Sequence, residues 1–172
     1  MQLLIVDTTG IQPYIFGSNR LRENIGASHL VAEATEAWAR KAVSTVAPKN
    51  NINPDWTLDR TKCIEHSAAA LDAEVLYAGG GNFVVLFRTP ESAKAFTHEL
   101  SRKALERAPN LQLVIAKREF DWGSAALSQA VDSLFKQLAK EKRSRPLSAP
   151  LLGLGVTVMC QSTGLLVPSQ LN

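Results

Sequence analysis

Residues 75–87 read VLYAGGGNFVVLF, two apolar runs joined by Gly79-Gly80-Gly81-Asn82. Valine, leucine and aromatic residues on both sides of a glycine cluster predict two antiparallel strands, at residues 73–78 and 83–88, closed by a tight bend. A single Asn-Gly or Asp-Gly pair serves most two-residue hairpins, so three successive glycines exceed what a turn requires. Bare backbone permits close approach, and two readings stay open. One is a crossing of chain against chain. The other is a row of free N–H groups that receives a phosphate or a nucleobase.

The elements around the hairpin follow from local pattern. Met1–Val6 (MQLLIV) is a short apolar run ended by Asp7, expected to be a buried strand. GIQPYIFG predicts a short helical segment starting near Ile11, with Pro13 in its first turn. A longer helix is expected from Ser28, which can cap it, with Leu30, Val31, Ala34, Trp38 and Ala42 on one face; it should stop before Pro48. Residues 48–62 are turn-rich and are expected to form a surface insertion. Thr89-Pro90-Glu91 is a strong helix start, followed by a buried stripe of Ala93, Phe96, Leu100 and Ala104. Leu111, Leu113 and Ile115, alternating with Gln112, are expected to form a fourth strand. Ser124 is expected to cap a last helix, with Leu127, Val131, Leu134, Phe135 and Leu138 inward and a charged end, KEKRSRP. The order βαββαβ predicts an α+β, ferredoxin-like domain over residues 1–146, an antiparallel sheet with helices on one face plus an extra helix. Residues 147–172 are expected to form a strand and an extended tail leading into a further region.

Bulk properties narrow the class. The chain has 172 residues, 45% hydrophobic and 20% charged, within the ordinary range of one soluble globular domain. Cys63 and Cys160 form no C-x-x-C pair and are expected to be free thiols of a reducing compartment. No leader-like start and no membrane-length apolar run is present, so a cytoplasmic location without membrane contact is expected. A net charge of +3 is compatible with phosphate-bearing partners without arguing for nucleic acid.

Asp7 and Thr8 end the first strand facing the bend, where a palm domain places a Mg²⁺ ligand. A turn or cap made by the Asp7 carboxylate is the competing reading. The bend supplies no second acid; Asn82 offers only a neutral amide oxygen. Within GSNRLRENIGAS, Arg20 and Arg22 can grip phosphate and Ser28 can open an anion-binding helix start, against the plainer reading of a capped helix with exposed arginines. His29, His66 and His98 share no spacing, and no Ser-His-Asp, zinc-ligand or phosphate-loop pattern occurs.

Together, DTTGIQPYIFGSNRLRENIGASHL and LYAGGGNFVVLF resemble the first palm domain of the large, polymerase-like subunit of type III CRISPR effector complexes. The shared marks are Gly10-Ile11-Gln12, Tyr14-Ile15, Leu21-Arg22, Gly26-Ala27-Ser28 and Tyr77 to Phe83, with GLGVTVMCQSTG resembling the segment after the palm. In that family a second palm bears Gly-Gly-Asp-Asp, binds metal and joins ATP into cyclic oligoadenylates, while the first lacks the acids and helps hold nucleotide. By resemblance the acidic positions fall here on Gly81 and Asn82. The resemblance implies an ATP-binding, catalytically incomplete palm that supports synthesis by a second palm, in cis or in trans, among CRISPR effector subunits and RNA in antiviral defence. Its expected nucleotide site comprises Asp7, Thr8, Arg20, Arg22, Ser28, Gly79, Gly80, Gly81 and Asn82, with Mg²⁺ at most on Asp7. Two alternatives remain: a Mg²⁺-dependent cyclase acting as a homodimer through Asp7, and a structural module binding RNA through Lys136, Lys140, Lys142, Arg143 and Arg145.

Overall fold

Strand β1 (Gln2–Thr9) runs through the middle of the sheet, and Leu3, Leu4, Ile5 and Val6 on it are all fully buried. An unbroken apolar run is what a strand covered on both faces needs, because alternate side chains enter opposite layers. In the computed structural model, which describes residues 1–65, 70–124, 126–144, 157–159 and 166–168, β1 lies between two antiparallel neighbours. These are β3 (Asn82–Phe87) and β4 (Gln112–Glu119), and β2 (Ala73–Gly79) flanks β3 to give the order β2-β3-β1-β4. This is the split βαβ order of a ferredoxin-like fold, in agreement with the sequence pattern. Both hairpin strands lie within one residue of their expected limits.

Helices cover the first face. Helices α1 (Ile11–Ile15), α2 (Leu21–Thr35) and α3 (Ala37–Val46) follow β1, and α4 (Pro90–Arg107) follows the hairpin. Ala39, Ala42 and Val43 of α3, with Ala93, Phe96 and Leu100 of α4, pack on Leu4, Val6, Phe83, Val85 and Phe87. Thr89 caps α4 as expected, its hydroxyl accepting from Ser92 N–H at 3.2 Å, with Pro90 at the first helical position. The extra helix α5 (Leu127–Ser144) covers the second face, where Ala130, Leu134 and Leu138 meet Leu3, Ile5, Val84, Leu86 and Val114. The sheet is thus enclosed between helical layers.

Two helix boundaries differ from expectation. The helix placed at Ser28 begins seven residues earlier, at Leu21, and Ser28 lies exposed within it. Leucine, arginine and glutamate favour helix strongly enough to carry Gly26, whose Cα faces open space, inside the element. The same segment then breaks at Glu36 instead of continuing toward Pro48. Beside the break, the buried Thr35 hydroxyl donates to the Val31 carbonyl at 3.1 Å, a back-bond that bends helices. Ser124 does not cap α5; its hydroxyl donates to the Asp121 carbonyl at 2.8 Å, closing a turn three residues before Leu127.

Of the final segment, β5 (Thr157–Met159) and β6 (Leu166–Pro168) pair antiparallel in a two-stranded sheet. His66, Cys160, Arg145 and the rest of the expected tail fall outside the described residues. No described helix is long and apolar enough to cross a membrane. Cys63 is a half-buried free thiol.

Candidate functional site

The hairpin bend is a two-residue turn. Gly79 pairs with Asn82, and the central residues Gly80 and Gly81 have φ of +59° and +83°. Two positive φ angles in succession are the requirement of a type I′ turn, which matches the twist of the flanking strands. Gly79 also has a positive φ, +156°, so all three glycines occupy conformations that side-chain-bearing residues rarely adopt. The surplus of glycine is therefore first a backbone requirement. It also keeps the bend thin: a Cβ on Gly81 would come 3.5 Å from the Thr8 hydroxyl oxygen.

Register then assembles the residues beside the bend. Asp7 lies directly across from Asn82 in the β1–β3 pair. Directly opposed residues of an antiparallel pair project to the same face, so the Asp7 and Asn82 side chains stand together on the α5 side. One extra residue in β2, between Val75 and Tyr77, shifts the register by one. As a result Tyr77 is opposite Val84, itself opposite Ile5. The bulge therefore turns Tyr77 to the α5 face too, where it is 52% exposed. A Cβ on Gly79 or Gly80 would lie 3.4 or 3.6 Å from the Tyr77 hydroxyl, so that side chain reaches along the bend.

The Asp7 carboxylate is fully engaged. One oxygen accepts from the Thr8 N–H at 2.6 Å, a contact with the adjacent residue inside β1. The other accepts from the Lys142 ammonium at 2.5 Å, and the same ammonium donates to the Thr8 carbonyl at 2.7 Å. Both charged side chains are mostly shielded, with 15% of Asp7 and 25% of Lys142 exposed. Among the described residues, two polar atoms nearby find no hydrogen-bond partner: the hydroxyl of Thr8, a residue only 1% exposed, and the buried amide oxygen of Asn82.

Other expected members stand apart. Arg20 is exposed and pairs with Glu23 at 3.5 Å, and Arg22 is exposed on the first turn of α2. No hydrogen bond or ion pair among the described residues joins either arginine to the bend. Ser28, inside α2, has no helix N-terminus to offer an anion. Lys142 belongs to the bend and is removed from the free basic end to which sequence reading assigned it. Its position was signalled by spacing: Leu134, Leu138 and Lys142 are four apart, which continues the buried stripe of α5 by one more turn. Tyr77 is the other residue missed, because a bulge has no two-residue periodicity to reveal it. Among the described residues no group of three His, Cys, Asp or Glu side chains is placed to hold a metal ion.

No protein-family model and no curated protein matches the chain. Solved structures do. A Csm1-Csm4 cassette in complex with one ATP matches with a TM-score of 0.55 and 15% identity, covering 87% of this chain and 21% of that one. The apo Csm1-Csm4 cassette matches with a TM-score of 0.53 and 18% identity, over 84% of this chain and 18% of that one. Csm1 from T. onnurineus matches with a TM-score of 0.51 and 21% identity, covering 97% of this chain and 24% of that one. The chain spans about a fifth of the length of these solved chains, and the likeness at such identities is one of fold.

Proposed function

We propose that this domain is a catalytically incomplete palm of a type III CRISPR effector, holding a nucleotide such as ATP at the glycine bend for a second palm to use. The observation that carries the reading is the pairing of Asp7 with Asn82. At the tip of the two central strands one carboxylate faces an amide, and its charge is already neutralised by Lys142. Metal-assisted transfer of a nucleotidyl group calls for paired carboxylates around the ions, so this bend supplies binding without the transfer chemistry. The same pairing disfavours an active cyclase built from two copies of the chain.

Binding groups remain in number. Exposed Tyr77 offers an aromatic face beside the bend, and a base stacked on such a ring contributes about 1–3 kcal/mol. The buried, unpartnered Asn82 amide oxygen and Thr8 hydroxyl are polar groups awaiting a partner, an unusual state in a folded chain. The likeness to an ATP-bound cassette agrees with this reading. Isothermal calorimetry of the chain with ATP is expected to give saturable heat with a dissociation constant in the micromolar to millimolar range. Tyr77→Ala is expected to weaken binding about 30-fold, the middle of the stacking range. Absence of heat at millimolar ATP removes the proposal.

The second palm needs a surface, and α2 offers one. Leu21 and Ile25, one turn apart, are 74% and 62% exposed, and Phe16 at the end of α1 is 63% exposed. Large apolar side chains grouped on a surface mark association sites. Leu21→Glu with Ile25→Glu is expected to leave the unfolding midpoint nearly unchanged, because both side chains are exposed. Co-expressed with a palm that carries paired aspartates, the double variant is expected to lose co-purification that the parent chain retains.

A further inference from the structure

The contacts of Lys142 have the chemistry of a cation site. Its ammonium is held by a carboxylate oxygen of Asp7 and the backbone carbonyl of Thr8, both hard oxygen donors of the kind that Mg²⁺ and Mn²⁺ take. A third oxygen, the Asn82 amide, is buried without a partner and projects from the residue directly across from Asp7. A divalent ion does not fit this cradle as it is built. The ammonium already occupies the carboxylate, and a doubly charged ion placed beside it would meet a positive charge at contact distance.

The geometry points to Lys142 as a resident cation that fills a latent divalent-ion site and keeps Asp7 from binding metal. The lysine reaches the bend because α5 continues its inward stripe from Leu134 and Leu138 by one turn. Its apolar stem runs along the covered face while the charged end meets the oxygens. The protein thus supplies from its own chain the positive charge that a metal-holding palm draws from solution. This inference concerns the ion alone and stands whether or not a nucleotide binds.

Mn²⁺ is the probe, read with the full 172-residue chain and no nucleotide. Free Mn²⁺ is followed by its paramagnetic resonance signal, and thermal unfolding is followed in parallel. Lys142→Met keeps most of the stem and removes the charge; Lys142→Ala removes both. Each variant is expected to bind one Mn²⁺ at least tenfold more tightly than the parent chain. In 5 mM Mn²⁺ each should gain about 3 °C or more in unfolding midpoint beyond any gain of the parent. Adding Asp7→Asn to Lys142→Met should abolish both effects. Equal Mn²⁺ response in parent and variants overturns the inference, and so does a gain that survives Asp7→Asn. A variant that loses its fold is still decisive, since Mn²⁺ must then restore it; failure to restore it counts against a cation site.

Discussion

Replacing Phe96 by alanine is expected to destabilise the domain by about 3–5 kcal/mol, the range for truncating a buried aromatic residue. Phe96 is fully buried where α4 meets the sheet. Its ring is 6.0 Å from that of Phe83 and 5.3 Å from that of Phe87, the first pair stacked and the second tilted. Loss of the ring removes both aromatic contacts and leaves a cavity between α4 and the sheet. Relaxation is limited because two of the walls are hydrogen-bonded positions of β3. Urea denaturation should show a lower midpoint with an unchanged slope. A loss below about 1.5 kcal/mol would mean that α4 collapses onto the strand and that the aromatic cluster is not the anchor described.

Asn51 should have the second-largest effect. It lies in the turn-rich segment after Pro48 yet is only 3% exposed. Its amide donates to the Val75 carbonyl at 3.0 Å, and its side-chain oxygen accepts from the Val75 N–H at 2.8 Å. β2 is an edge strand, and Val75 stands just before the bulge that reverses the facing of Tyr77. A side chain here does the work of a neighbouring strand for one residue. Asn51→Ala leaves a buried donor and a buried acceptor without partners, each costing about 1–3 kcal/mol, so a loss of at least about 2 kcal/mol is expected. Hydrogen exchange at the Val75 amide should accelerate with it. Unchanged protection at Val75 would show that water or another group satisfies the strand edge.

These two residues also separate what sequence makes legible from what it does not. Phe96 was visible because Ala93, Phe96, Leu100 and Ala104 recur at helical spacing after an unambiguous cap at Thr89. The central strand was visible because MQLLIV has no polar interruption, and the hairpin because glycine divides two apolar runs. The signals that failed were those depending on a distant partner. Asn51 looks like any turn asparagine until Val75 is brought to it. The bulge at Leu76, and with it the exposure of Tyr77, follows from pairing with β3 and not from local composition. Ser28 was misplaced because Gly26-Ala27-Ser28 has the composition of a helix start while the residues before it are better helix formers than a loop. At the bend, the absence of a second carboxylate was readable from Gly81 and Asn82. The lysine facing Asp7 was signalled only by its four-residue spacing from Leu134 and Leu138, a cue that the charged composition of KEKR outweighs.

The placement of β1 at the centre of the sheet bears on how the chain acquires its structure during synthesis. This strand precedes the other elements of the domain, but its two hydrogen-bonded neighbours begin only at Asn82 and Gln112. Lys142 follows Asp7 by 135 residues. Closure of such long loops is slow compared with formation of the β2–β3 hairpin, whose turn spans two residues. A nascent chain therefore carries this apolar segment with no strand partner until Asn82 and the residues after it have been made, a state in which such segments are prone to wrong pairing. The hairpin provides the first strand edge on which β1 can pair, and α5 closes over it last. Within this domain the carboxylate of Asp7 is made 135 residues before the ammonium that becomes its counterion.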